Sequence, residues 1–174
     1  DGDGVGDTRD EFPNDPSRAF SSYTPSKSTF GSLAFEDLWP SKGDYDFNDL
    51  VLDYQVQEVF NANNQIVDVR MKTVIKAVGA SFKNGFGFQL PISPLSVKKI
   101  SGQSLKNKYI STLANGTETD QSKAVVMVFD DAFNHIKRTV ADFVNTVEKQ
   151  PNSQGDTMNV VVEFTSPISA SVLG

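Results

Sequence analysis

Two long stretches of the sequence alternate between apolar and polar positions with a period of two. In the first, residues 50–60, apolar Leu50, Leu52, Tyr54 and Val56 alternate with a more polar set of positions, and residues 67–77 repeat the pattern. This period is typical of a β-strand that buries one face. Because residues 61–64 between them are turn-forming Asn and Ala, the pattern predicts a long hairpin.

Shorter apolar runs at residues 87–92, 96–100, 124–129 and 158–164 are separated by turns that contain Asn, Gly or Pro. Six or more strands without the helical connections of parallel sheets predict an all-β fold, an antiparallel β-sandwich of jelly-roll or immunoglobulin-like type. One segment, residues 140–147, offers a short helix as the alternative to a strand. Val140, Phe143, Val144 and Val147 fit a helical face over two turns, although β-branched residues weaken a helix.

The composition narrows the range of functions. A chain of 174 residues with 38% hydrophobic residues suits one compact core. The absence of cysteine excludes disulfides and thiolate metal sites, and a single histidine, His135, argues against zinc sites and histidine-dependent catalysis. No apolar run approaches the roughly 18 residues of a membrane span. We therefore expect neither an enzyme nor direct membrane insertion.

Negative charge is concentrated at the start of the chain. Residues 1–53 hold 12 acidic and 4 basic side chains, a net charge of −8, whereas the other 121 residues hold 10 acidic and 12 basic, a net charge of +2. An acidic region repels nucleic acid and attracts hard cations, which prefer oxygen ligands. Residues 1–30 show no apolar periodicity, which predicts an irregular leader before a sandwich domain of residues 31–174. A solvated acidic face is the alternative.

The first acidic motif lies within residues 1–10. Asp1, Asp3, Asp7 and Asp10 are spaced by two, four and three residues, with glycines where a loop must bend around an ion. Their mutual repulsion favours a divalent cation such as Ca²⁺. The motif resembles the thrombospondin type 3 calcium repeat, which implies Asp1 and Asp3 at the third and fifth loop positions, a ligand carbonyl from Val5, and Asp7 and Asp10 closing the loop. A disordered acidic linker is the alternative.

The second acidic motif precedes the first long strand. Aromatic Tyr45 and Phe47 alternate with oxygen-bearing side chains, so one side of an extended segment is expected in the core and the other around calcium. The candidate ligands are Asp44, Asp46, Asn48 and Asp49, with Glu36 and Asp37 from the preceding segment. The alternative is an acidic turn whose carboxylates accept backbone N–H groups.

The stretch 35–54 closely resembles the signature of the LruC domain, a DUF4842-like family of secreted and cell-surface bacterial proteins. Residues 84–90 and, more weakly, 143–146 resemble further landmarks of that family. The resemblance implies a β-rich extracellular module without established enzymology. Trp39, beside Leu38 within the signature, is expected in the core, and stacking on a sugar is the alternative.

These observations predict a calcium-binding module of a larger bacterial surface or adhesin protein, located outside the cell or on its surface. Its partner would be a protein or glycan on a host or neighbouring cell, and calcium would have a structural role. A calcium-dependent carbohydrate-binding module is the alternative. Crowded carboxylates argue against a glycoside hydrolase, because a general acid needs an isolated apolar pocket.

Overall fold

The computed structural model of the chain describes residues 1–38, 40–138 and 143–173. The described residues form eight strands and a four-residue C-terminal helix. They are β1 (Phe20–Thr24), β2 (Gly31–Phe35), β3 (Leu50–Phe60), β4 (Gln65–Ala77), β5 (Phe86–Leu90), β6 (Val97–Ser101), β7 (Ala124–Phe129), β8 (Thr157–Ser169) and α1 (Ala170–Leu173). Strands β1–β3–β4–β8–β6 form the larger sheet, with β2 also paired to β3, and β5 and β7 form the smaller one. All of these pairings are antiparallel.

The long hairpin is confirmed as strands β3 and β4. Its turn is held by Asn61, whose Oδ1 accepts the N–H groups of Asn63 and Gln65, each at 3.0 Å. Asn64 has a φ of +58°, a left-handed conformation that asparagine tolerates better than most residues. The four shorter predicted strands are also confirmed as β5 to β8, with shifted ends and an extended β8.

The core lies between the two sheets, which confirms the antiparallel sandwich. Leu52, Ile75 and Val162 from the larger sheet are almost completely buried, and so are Val126 and Phe129 from β7. All five belong to one continuous apolar cluster. Burying such a side chain contributes about 1.5–3 kcal/mol, so the inward positions of the alternating pattern carry much of the stability.

The leader of residues 1–30 is less irregular than predicted, because residues 20–24 form strand β1 along one edge of β3. Strand β2 occupies the same edge further along β3. The leader is also attached by side chains: Arg18 Nε lies 2.8 Å from Asp68 Oδ2 on β4, and Asp68 is fully buried. Main-chain hydrogen bonds to β3 hold strand β1 in place, so this strand forms without an apolar alternation of its own.

The helical interpretation of residues 140–147 is wrong for its described part. Val144 forms an antiparallel bridge with Val78, with hydrogen bonds of 3.0 Å and 2.7 Å between their backbones, and Asn145 has a φ of +61°. An isolated bridge to Val78, the residue after β4, therefore replaces the helix. Val140 and Trp39 lie outside the described residues.

Candidate metal centre

Three carboxylates converge in the N-terminal loop. One oxygen each from Asp1, Asp3 and Asp10 lies within 4.8 Å of the others. Gly2 and Gly4 both have a φ of +95°, a conformation that glycine adopts without steric cost and that bends the loop back on itself. The spacing of acidic residues and glycines thus brings three of the four predicted aspartates together.

Hydrogen bonds within the loop use only part of this oxygen set. Asp3 Oδ1 accepts the Val5 N–H at 2.7 Å, and Asp10 Oδ1 accepts the Phe12 N–H at 2.6 Å. The Oδ2 atoms of Asp3 and Asp10 are buried and have no hydrogen-bond partner among the described residues, and Asp10 is only 8% exposed. A buried, unpaired carboxylate oxygen is costly unless a cation or water satisfies it.

The other two predicted ligands of this loop are placed differently. Asp7 is exposed and is not one of the three converging carboxylates. Val5 is half-buried, and its N–H is bonded to Asp3.

A second group of carboxylates forms between β2 and β3. Oxygens of Glu36, Asp44 and Asp46 lie within 4.8 Å of one another. Glu36 Oε1 accepts the Phe47 N–H at 2.7 Å, while Glu36 Oε2 is buried without a partner in the described part of the chain. The Asn48 amide donates to Asp46 Oδ2. Of the two ligands predicted from segment 36–37, Glu36 therefore converges with segment 44–48.

Glycines make room for this second group. A Cβ at Gly43 would lie 2.3 Å from Glu36 Oε2, and one at Gly79 would lie 1.6 Å from Asn48 Oδ1. Both approaches are closer than any side chain allows. Residue type alone does not reveal the Gly79 contact, because Gly79 lies just beyond the end of β4, about thirty residues from Asn48 in sequence.

The expectation that Tyr45 and Phe47 anchor in the core is wrong. They are 57% and 53% exposed, and their φ values of +59° and +52° are left-handed. An alternating pattern places side chains on opposite faces only in an extended strand, and residues 44–48 are not a strand. The left-handed turns bring Asp44 and Asp46 towards Glu36 instead, at a cost of about 1–2 kcal/mol per residue.

Asp49 behaves as the backbone-capped alternative describes, whereas the Asp37 carboxylate accepts a side-chain amide. Asp49 is buried, and its Oδ2 accepts the Asp37 N–H at 2.9 Å. Burial raises the pKa of Asp49; the Asp37 N–H opposes this rise, and the nearby carboxylates of Asp37, Glu36 and Asp44 add to it. Asp37 Oδ2 in turn accepts the Asn84 amide at 3.1 Å, a contact with the loop before β5 that the sequence does not reveal.

Two cavities border the second group. One of about 350 Å³ lies between Phe35 and Phe86 and includes Glu36, Asp37 and Asn84 in its wall. The other, about 640 Å³, is lined by the acidic loop and by residues 80–82.

Oxygen is the only ligand type in either group, and each group has three carboxylates. This donor set fits a hard divalent cation such as Ca²⁺ and does not fit zinc, which prefers nitrogen and sulfur. The unpaired oxygens of Asp3, Asp10 and Glu36 are the positions where such an ion would replace missing hydrogen bonds.

The fold is thus an antiparallel β-sandwich domain with two carboxylate groups before its long hairpin. A family model described as "Domain of unknown function (DUF4842)" matches residues 64–174, and the chain belongs to that family. The matched region begins at the hairpin turn, so both carboxylate groups precede it. Comparisons with curated proteins and with solved structures gave no significant match. In the described part of the chain, no helix has the length and apolarity needed to cross a membrane.

Proposed function

We propose that this chain is a calcium-binding module of a bacterial surface or adhesin protein, in which calcium stabilises the start of the domain. The observation that carries the proposal is the pair of three-carboxylate groups, each with at least one buried oxygen that has no hydrogen-bond partner among the residues that the structure describes. Like charges this close destabilise the fold unless a cation lies between them. The resemblances to a thrombospondin type 3 repeat and to the LruC domain support the same reading.

Each ion would fix one loop to the sandwich. The N-terminal loop leads through Glu11, whose N–H donates to Ala19 O at 2.9 Å, while the Ala19 N–H donates to Phe60 O on β3 at 2.7 Å. An ion held by Asp1, Asp3 and Asp10 would therefore order residues 1–10 against β3. An ion held by Glu36, Asp44 and Asp46 would close the loop between β2 and β3.

The role of the module would be adhesion or ligand presentation outside the cell. Extracellular calcium sites typically have a Kd of about 10⁻⁴–10⁻³ M, so they fill outside a cell and are empty in a cytosol. The partner would be a protein or glycan on a host or neighbouring cell, and the negative charge of residues 1–53 disfavours nucleic acid. The proposal includes no catalysis.

Thermal unfolding in calcium and in EDTA tests the proposal. An ion that binds only the native state adds about 1.4 kcal/mol per site at tenfold excess over Kd, which raises the Tm by roughly 3–6 °C per site. We also expect EDTA to expose residues 1–30 to trypsin. An identical melt in the two buffers contradicts the proposal.

Asp10→Asn is the sharpest variant for the N-terminal group, and Asp7→Asn is its matched control, because Asp7 is an exposed acid outside the convergence. Asp10→Asn should lose the calcium-dependent rise in Tm, whereas Asp7→Asn should keep it. In EDTA, Asp10→Asn should be at least as stable as the wild type, since the substitution removes repulsion. Asp46→Asn should behave in the same way for the second group.

A calcium-dependent carbohydrate-binding module is the second candidate. It is favoured by the cavity between Phe35 and Phe86, because Glu36 belongs both to that cavity and to the second carboxylate group. A sugar there could contact aromatic rings and a calcium ion together. Glycan-array binding that Asp46→Ala abolishes would support this candidate; a blank array combined with binding to cells or proteins would support adhesion without it.

A further inference from the structure

A groove of about 510 Å³ crosses the outer face of the larger sheet, and none of its described lining residues belongs to either carboxylate group. Tyr23, Gln57, Arg70 and Val161 form one cross-strand row, since Tyr23 pairs with Gln57, Gln57 with Arg70, and Arg70 with Val161. Directly opposed residues point to the same face, so the row spans four strands, about 14 Å.

A second row runs beside the first. Gln55 pairs with Lys72, and Lys72 pairs with Asn159. These residues lie two positions from members of the first row and so share its face. Lys27, in the turn after β1, adds a further side chain to the groove.

The groove is cationic, although the chain as a whole carries a net charge of −6. Its wall includes Lys27, Arg70 and Lys72, and no carboxylate is among its described lining residues. Lys72 has no ion-pair partner within residues 1–38, 40–138 and 143–173. Lys27 is paired to Glu11 at 3.2 Å, in an exposed contact that contributes little.

Asp68 holds the Arg70 side chain in place, and Arg70 still has N–H groups for a ligand. Its Nε donates to Asp68 Oδ1 at 2.8 Å and its Nη2 to Asp68 Oδ2 at 3.4 Å, and Asp68 is fully buried behind it. A guanidinium has five N–H donors, so three remain for a ligand. The Arg70 side chain is 34% exposed, and its guanidinium carbon lies 5.7 Å from the centre of the Phe12 ring.

We propose that this groove binds an acidic glycan, a chain of sugars that includes uronic acids. Arg70 and Lys72 would hold a sugar carboxylate by charge-assisted hydrogen bonds. The amides of Gln57 and Asn159 would contact hydroxyls, and the Tyr23 ring, with Lys27 Nζ 5.6 Å from its centre, adds an aromatic group at the end of the row. Gln57 Nε2 donates to Ser21 Oγ at 2.9 Å, which leaves its amide oxygen for the ligand.

The mixture of groups favours a glycan over an acidic peptide. An acidic peptide needs cations and a strand edge or apolar pockets for its backbone and side chains. This groove instead crosses the middle of the sheet, where β3 and β4 are already paired on both edges, and combines cations with amides and one aromatic ring.

Calorimetric titration of the whole chain in calcium with a hyaluronan hexasaccharide, which alternates uronic acid and N-acetylglucosamine, tests the proposal. Chitohexaose is the neutral control sugar and hexaglutamate is the control anion. We expect the hyaluronan hexasaccharide to bind and both controls to bind at least about tenfold more weakly. Lys72→Gln should weaken hyaluronan binding about tenfold, because it removes a charge-assisted contact, and Lys72→Arg should restore it.

Lys76→Gln is the matched variant, because Lys76 lies four residues further along β4 on the same face and outside the groove. It should leave the affinity unchanged. The proposal is overturned by absent hyaluronan binding, by equal binding of either control, or by equal weakening in Lys72→Gln and Lys76→Gln. Asp46→Asn separates this groove from the calcium-dependent sugar site, since binding here should survive that substitution.

Discussion

At the scale of single residues, the end of β7 holds a buried polar centre. Asp130, Asp131 and His135 are each at most 8% exposed. Asn107 joins the two aspartates, since its N–H donates to Asp130 Oδ2 at 2.7 Å and its amide to Asp131 Oδ2 at 3.0 Å. The centre fixes the loop after β6 to the end of β7.

His135 makes this centre sensitive to pH. Burial lowers the pKa of His135, and Lys106 lowers it further, while Asp156 and Asp130 oppose the shift. The pKa in the folded state is thus below the unfolded value of about 6.5. The unfolded chain then binds a proton first, so the stability from neutral His135 is complete above about pH 6.5 and is lost as the pH falls through the folded pKa.

We expect the Tm of the wild type, measured in EDTA, to fall between pH 7.5 and pH 5.5, and His135→Gln to reduce that fall. EDTA excludes any effect of protons on calcium binding. The chain has one histidine, so the variant removes its only imidazole titration. An equal fall in Tm in both proteins would show that His135 does not contribute to the pH dependence of stability.

At the scale of elements, the attachment of the leader depends on contacts that alternation does not encode. Asp68 lies at an outward position of β4, where the period of two suggests an exposed side chain, yet it is fully buried. Arg18 and Arg70 each place Nε 2.8 Å from it. The alternating pattern therefore predicts strand β4, but it does not predict the arginines that pair with Asp68.

Asp68→Asn should destabilise the domain by about 3 kcal/mol, because it removes the buried counterion of Arg70 and leaves Arg18 paired to the more exposed Asp15. Urea unfolding measures this loss, and faster tryptic cleavage at Arg18 would locate it in the leader. Asp53→Asn is the control. Its Lys76 contact is 3.6 Å long and more exposed, so we expect a loss below about 1 kcal/mol. Equal losses would contradict the anchoring role of Asp68.

At the scale of the whole molecule, the predictable features are those with a local pattern. The alternation of residues 50–60 and 67–77 was sufficient to predict the hairpin. The spacing of acidic residues was sufficient to predict that Asp1, Asp3 and Asp10 lie close together. The exposed Tyr45 and Phe47, the Asn84 contact to Asp37 and the close approach of Gly79 to Asn48 depend on turns and long-range packing. No short window of sequence contains that information.

Anomalous diffraction from crystals grown in calcium would test the central claim most directly. The proposal predicts two peaks, one among Asp1, Asp3 and Asp10 and one among Glu36, Asp44 and Asp46, each surrounded by oxygens at about 2.4 Å. Carboxylates that turn apart into water, with no peak at either position, would contradict it.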